Sequence, residues 1–207
     1  MSIRTFLATP IFLLPLAAAL SAAPAGAATL SVHLAAANGH PVHDAVVLLE
    51  PTTTHLPVKP MSVQQVPQRN KQFDPQVLVI TVGTPVVFPN FDTVRHHVYS
   101  FSPIKSFELK LYAGTPHEPI VFDKPGIATL GCNIHDQMIA WIIVADTPFH
   151  AQTGADGTVK FTDVPAGSYR VRAWHPDLPD NAPPVTQAVE VGTADLERRV
   201  QLDVKGQ

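Results

Sequence analysis

The 207-residue chain holds a single cysteine, Cys132, and only three methionines. One thiol cannot close an internal disulfide, so no disulfide framework holds this fold. Charge is also sparse. Only 15 % of residues are charged, 14 Lys+Arg against 17 Asp+Glu, a formal net charge of −3. No basic excess follows a phosphate backbone, which argues against a nucleic-acid partner. With 45 % hydrophobic residues the chain is not a disordered acidic one. Apolar stripes of helical period are absent. So are the G-x-S-x-G elbow, the Walker A loop, the dinucleotide glycine fingerprint and H-E-x-x-H, so no enzyme class is indicated. Proline is abundant, 21 residues against 11 glycines. That density interrupts helices and suits a loop-rich β fold.

The N-terminus reads as an address. Arg4 precedes an uncharged run to residue 43, in which Phe6 to Leu20 is apolar and Ala25-Gly26-Ala27 offers a small-residue cleavage site. The other reading is an uncleaved membrane anchor. The short core and its Pro10 and Pro15 favour a signal peptide over residues 1–27, hence export to the periplasm with no span left after cleavage. The exported residues 28–207 would carry 13 cations and 17 anions, a charge of −4.

The remainder reads as strands. Residues 77–82 form a β-branched run closed by the turn Gly83-Thr84-Pro85. Phe107, Leu109 and Leu111 alternate with Glu108, Lys110 and Tyr112, and Met138 to Val144 is a continuous apolar run. Residues 30–50 read strand, Asn38-Gly39 turn, strand. Residues 152–174 read Asp156-Gly157 turn, strand, Pro165-Ala166-Gly167 turn, strand. Many short strands between turns indicate sandwiches or barrels.

Export makes the lone thiol informative, because an exposed one pairs or oxidises. Cys132 can be half of a partner's disulfide, a buried apolar residue or a metal ligand. Its surroundings favour the last. Gly131-Cys132-Asn133-Ile134-His135-Asp136-Gln137-Met138 contains C-x2-H-x2-M, and His96-His97 lies upstream after Asn90. Two imidazoles, a thiolate and a weak axial thioether suit copper in electron transfer. A strand ending at Cys132, a tight loop at His135 and a new strand after Met138 would bring three donors from one loop. The fourth must come from another strand, as His96 would.

These residues carry a resemblance. Residues 58–147, with the VGTPVVFPN segment, Asn90 six positions before His96 and the CNIHDQM loop, resemble a cupredoxin of the plastocyanin and amicyanin type. The whole chain resembles cupredoxin-containing proteins often labelled methylamine utilization protein. The resemblance implies an all-β, Greek-key cupredoxin sandwich and one type 1 (blue) copper ion held by His96, Cys132, His135 and Met138. It selects His96 over His97, because His97 stands where the family has Asn in H-N-V. His97 is then an exposed strand histidine, a group beside the ligands or a competing ligand. Asn90 is implied to tether the Cys-bearing loop, the alternative being a plain turn residue after Pro89. His135 would lie near the surface in an apolar patch where partners dock.

Residues 28–57 and 148–207 together resemble one carboxypeptidase-regulatory-like (Ig-like or prealbumin-like) sandwich, split by the cupredoxin. The alternative is a single irregular sandwich. The expected function is single-electron transport with a redox partner such as a cytochrome c or a dehydrogenase, the net charge favouring a basic one. Its rivals are a copper carrier, chaperone or sensor, and a structural sandwich with a decayed site. His33, His40, His43, His55, His117, His150 and His175 lack ligand spacing and are expected mostly at the surface, the alternative being a second metal site among them.

Overall fold

A computed structural model describes residues 26–179 and 182–204. Most of the segment read as a signal peptide, residues 1–25, lies outside them. Among the described residues every regular element is a strand. No helix there is long and apolar enough to cross a membrane. The strands are β1 (Ala27–Ala36), β2 (Val46–Pro51), β3 (Gln64–Gln65), β4 (Gln68–Arg69), β5 (Gln72–Phe73), β6 (Val77–Thr81), β7 (Thr84–Val87), β8 (His96–Ser102) and β9 (Lys105–Tyr112). They continue with β10 (Ile120–Phe122), β11 (Gly126–Cys132), β12 (Ile139–Ala145), β13 (His150–Gln152), β14 (Thr158–Pro165), β15 (Gly167–Trp174), β16 (Val185–Val191) and β17 (Leu196–Leu202).

Two cores organise them. The first lies between the sheets β14-β1-β17 and β13-β2-β15-β16 and holds Leu30, Leu49, Val171 and Leu202. The second lies inside the sheet β6-β12-β11-β8-β9, opposed by β10-β7-β3, and holds Phe88, Val98, Phe122, Leu130, Cys132 and Met138. This second unit is a β-sandwich of its own.

The sheet containing β12 is shared by both cores. Ala140, Ile142 and Val144 point into the second core, whereas Ile143 and Ala145, with Trp141 packed beside them, point into the first. On β6, Val77 and Val79 pack against one core and Ile80 sits in the other. A strand buried on both faces needs apolar residues at every position, which explains the unbroken run of β12.

Three expectations need correcting. The turn after β6 is shorter than Gly83-Thr84-Pro85. Val82-Gly83 makes it, with Gly83 at φ 85°, and Thr84 and Pro85 already belong to β7. The Asn38-Gly39 turn joins residues 34–36 to 40–42 only, and the chain then crosses to the opposite sheet, where β2 pairs with β13 and β15. Leu111 is 51 % exposed rather than inward. The register between β8 and β9 shifts between His96 and Val98, which pair with Tyr112 and Leu109. The extra residue on β9 turns Leu111 out and Tyr112 in.

Candidate metal centre

Two neighbouring strands and one loop build the cluster. On β8 the alternation places His96, Val98 and Ser100 inward, all fully buried. Cys132 ends β11 opposite Val98 and is 3 % exposed. The loop after it is tied at both ends. Asn133 N–H donates to the His97 carbonyl at 3.2 Å, and Met138 N–H donates to the His135 carbonyl at 2.9 Å. His135, partly exposed, is thereby folded back over Cys132.

His96 Nδ1 lies 3.7 Å and His135 Nδ1 3.9 Å from Cys132 Sγ. One donor atom from each of the three residues lies within 4.8 Å of the others. A metal at ~2.3 Å from sulfur and ~2.0 Å from nitrogen, with the two bonds about 120° apart, separates those atoms by about 3.7 Å. The spacing therefore fits one shared ion with little movement. The donor set, two imidazoles and a thiol, is suited to one copper ion. Met138 is 1 % exposed in the same core and shares a groove with Cys132.

Beyond these, Asp92 was not singled out by the sequence. Its Oδ2 lies 2.8 Å from His96 Nε2, the ring nitrogen facing away from Cys132. Its two oxygens also accept the N–H groups of Asn70, at 2.7 Å, and Lys71, at 3.0 Å. Asn70 and Lys71 form the tip of the β4–β5 hairpin, with φ of 53° and 58°. That left-handed pair turns both amides toward the carboxylate. Burial pushes the Asp92 carboxyl up, but the His96 ring and the two amides outweigh it and leave it below its ordinary 3.8. A carboxylate behind a ligating imidazole fixes its tautomer and aim. A His-x3-Asp search read backwards from His96 would have found it.

Asn90 holds a different segment from the one expected. Its side-chain amide donates to the carbonyls of Val94, at 2.9 Å, and Tyr112, at 3.1 Å, and its Oδ1 accepts Asp92 N–H at 2.9 Å. No residue of the Cys-bearing loop is among these partners. Asn90 braces the His96 side of the cluster. The tie to the loop runs instead through the His97 backbone.

His97 is not an exposed strand histidine. Its side chain is 12 % exposed on the outer face of β8, with Nε2 3.2 Å from Glu108 Oε1 but poorly aligned for a hydrogen bond. It faces away from Cys132. His175, also expected at the surface, is 3 % exposed in the first core's rim.

Tyr112 closes the floor. Its hydroxyl donates to the Phe88 carbonyl at 2.8 Å and accepts from Gln68 Nε2 at 2.6 Å. Burial pushes its phenol far above the ordinary 10.0, so it stays a neutral donor. A separate cavity of about 500 Å³ opens between the two sandwiches, lined by Glu50, Arg172 and Trp174 and by none of the cluster residues.

No protein-family model matches the chain, and no curated protein matches it. Among solved structures it is similar to a copper-containing nitrite reductase from Thermus scotoductus SA-01, at 27 % identity and TM-score 0.39, over 48 % of this chain and 26 % of that one. The match thus spans about a quarter of the nitrite reductase. It is similar to a purple cupredoxin from Nitrosopumilus maritimus, at 23 % identity and TM-score 0.36, over 41 % of this chain and 100 % of that one. It is also similar to a reduced Cu(I) amicyanin variant, at 14 % identity and TM-score 0.37, over 48 % and 98 %.

Proposed function

We propose that this is a periplasmic type 1 copper protein that carries single electrons between redox proteins and catalyses no reaction of its own. The observation that carries this is the convergence of His96, Cys132 and His135 on one point, with two members buried and one reaching the surface. His96, Cys132, His135 and Met138 would hold the ion. Bound copper supplies a Cu(I)/Cu(II) couple, and a site that suits both states needs little rearrangement when the electron moves.

The chain's own residues do the rest. Asp92 holds His96 with Nδ1 forward. The backbone ties from His97 to Asn133 and from Met138 to His135 fix the loop before any metal arrives. Cys132 sits in one buried core with Phe88, Val98 and Leu130, which leaves little of it open to water. His135 offers the shortest way out. In this reading residues 28–57 and 148–207 form a second sandwich that positions residues 58–147, and the leader of residues 1–27 exports both.

The test is a titration of the metal-free protein with Cu(II) followed by visible absorption. An intense thiolate-to-copper band, lost in Cys132→Ser and weakened in His96→Ala but not in His97→Ala, supports the reading. A colourless complex overturns it. Rapid loss of bound copper to an apo acceptor, without reversible redox cycling, would point to a carrier instead.

A further inference from the structure

The chain is negative overall, yet the end that bears the cluster is rimmed by cations. Four segments form that end: the hairpin of residues 68–73, the loop of residues 91–95, the loop of residues 113–119, whose Gly114 carbonyl accepts Asn90 N–H, and the loop of residues 133–137. They expose Phe91 (53 %), Val94 (40 %) and Ile134 (47 %), large apolar side chains on the loops that deliver His96 and His135. The Arg69 guanidinium lies over the Phe91 ring, 4.1 Å from its centroid. Lys71 stands at the exposed hairpin tip, and Arg95 is exposed directly before His96. Of the three acidic residues on these segments, Asp92 is turned inward onto His96 and the hairpin amides. Glu118 and Asp136 remain exposed. Three cations thus face solvent against two anions.

The cations are built onto the apolar patch. Arg69 stacks on one of its members, and Asp92 anchors the hairpin that carries both Arg69 and Lys71. Screening then decides which charge a partner meets. At 0.1 M salt the Debye length is about 10 Å, so an approaching partner responds mainly to charges within about that distance of the patch. An apolar centre with a charged rim is the anatomy of a transient protein interface, the rim setting approach and orientation.

The geometry points to a redox protein that docks on Phe91, Val94 and Ile134 through an acidic surface, the reverse of what the net charge suggests. That the partner is a redox protein rests on the proposed copper function. The sign of its surface does not.

Two arms test it. In the first, the metal-free protein is followed by amide NMR during titration with decaglutamate or decalysine at low salt. Decaglutamate is expected to shift residues 69–71, 91–95 and 134–136. The shifts should vanish at high salt and in the reversal variant R69E/K71E/R95E, with R95E alone as a milder variant should the triple one unfold. Shifts at this face from decalysine, or from neither peptide, overturn the proposal. In the second arm the Cu(I) protein gives one electron to hexacyanoferrate(III), forming Cu(II) and hexacyanoferrate(II). The rate is expected to fall about tenfold from low to high salt, and the reversal variant to lose that fall. A rate that rises with salt overturns the proposal. A blue protein that fails the first arm loses the acidic partner only. A colourless one loses the copper function while the first arm still decides the sign of the face.

Discussion

Trp141 and Trp174 meet with ring centroids 5.7 Å apart and planes at 58°, one from the metal-bearing sheet and one from the second sandwich. Trp174 is buried in the first core and Trp141 packs against it. Together they join the two cores through the shared wall. An aromatic pair of this kind adds about 0.5–1.5 kcal/mol beyond its buried area. A double-mutant cycle with Trp141→Leu and Trp174→Leu, measured by denaturant unfolding, is expected to return a coupling in that range. A coupling of zero would mean that the sandwiches are not joined there. The single variants should keep the copper band.

Asp92 is expected to set how tightly the site holds its ion. Removing the partner of a ligating imidazole costs about 10–100-fold in metal affinity. Asp92→Ala should show that loss in competition with a chelator, and Asp92→Asn, which can still accept from Nε2–H, a smaller one. Equal affinities in both variants and the parent would deny Asp92 this role.

Gly131 is required by a close approach. A Cβ added there would stand 2.7 Å from both Cζ and Oη of Tyr99. The ring is flanked on the same face by Phe101 and His97, with centroids 5.0 Å and 6.2 Å away, and would have to shift against them. Gly131→Ala should cost about 1–3 kcal/mol of stability, as overpacking does. Gly131→Ala combined with Tyr99→Ala should recover part of it in the same unfolding assay. No recovery would place the strain in the backbone instead.

Much of this was legible in the sequence, and the reasons differ by element. The family resemblance picked His96 over His97, and the two-residue period of β8 turns His96 to the same buried face as Val98. C-x2-H-x2-M placed His135 and Met138 because the loop between β11 and β12 is too short to put them elsewhere. The partners of Asn90 were not legible, since a turn asparagine reaches whichever carbonyls the fold brings near it. Leu111 was misread because a bulge leaves no mark in composition. The continuous run of β12 reported burial but could not say that two cores share it. Asp92 escaped because its meaning depends on a hairpin twenty residues earlier.

His175 gives the protein an acid sensitivity away from the metal. Burial holds its imidazole below the ordinary 6.5, aided by the His43 ring charge and opposed by Asp177, Asp44 and the His43 backbone. A histidine depressed in the folded state favours folding while it is neutral. Its contribution is full above pH 6.5, the unfolded value, and is lost as pH falls from there toward the folded value. Unfolding free energy of the metal-free protein should therefore decline below about pH 6.5. His175→Gln should flatten that decline. A decline unchanged in the variant would assign it to other groups.

β1 lies in the middle of its sheet, antiparallel to β14 and parallel to β17. The first strand of the described chain is thus held by its last, with Leu30 opposite Leu196 and Ala36 opposite Leu202. The sheet β14-β1-β17 cannot be completed until β17 is made, and the facing sheet β13-β2-β15-β16 until β16 is, whereas β3 to β12 find all their strand partners within one continuous stretch. Contacts so distant in sequence form slowly. The metal-bearing unit can therefore assemble while the outer sandwich still waits for its final strand, and a chain truncated before β17 would keep its cluster but leave an open edge beside β1.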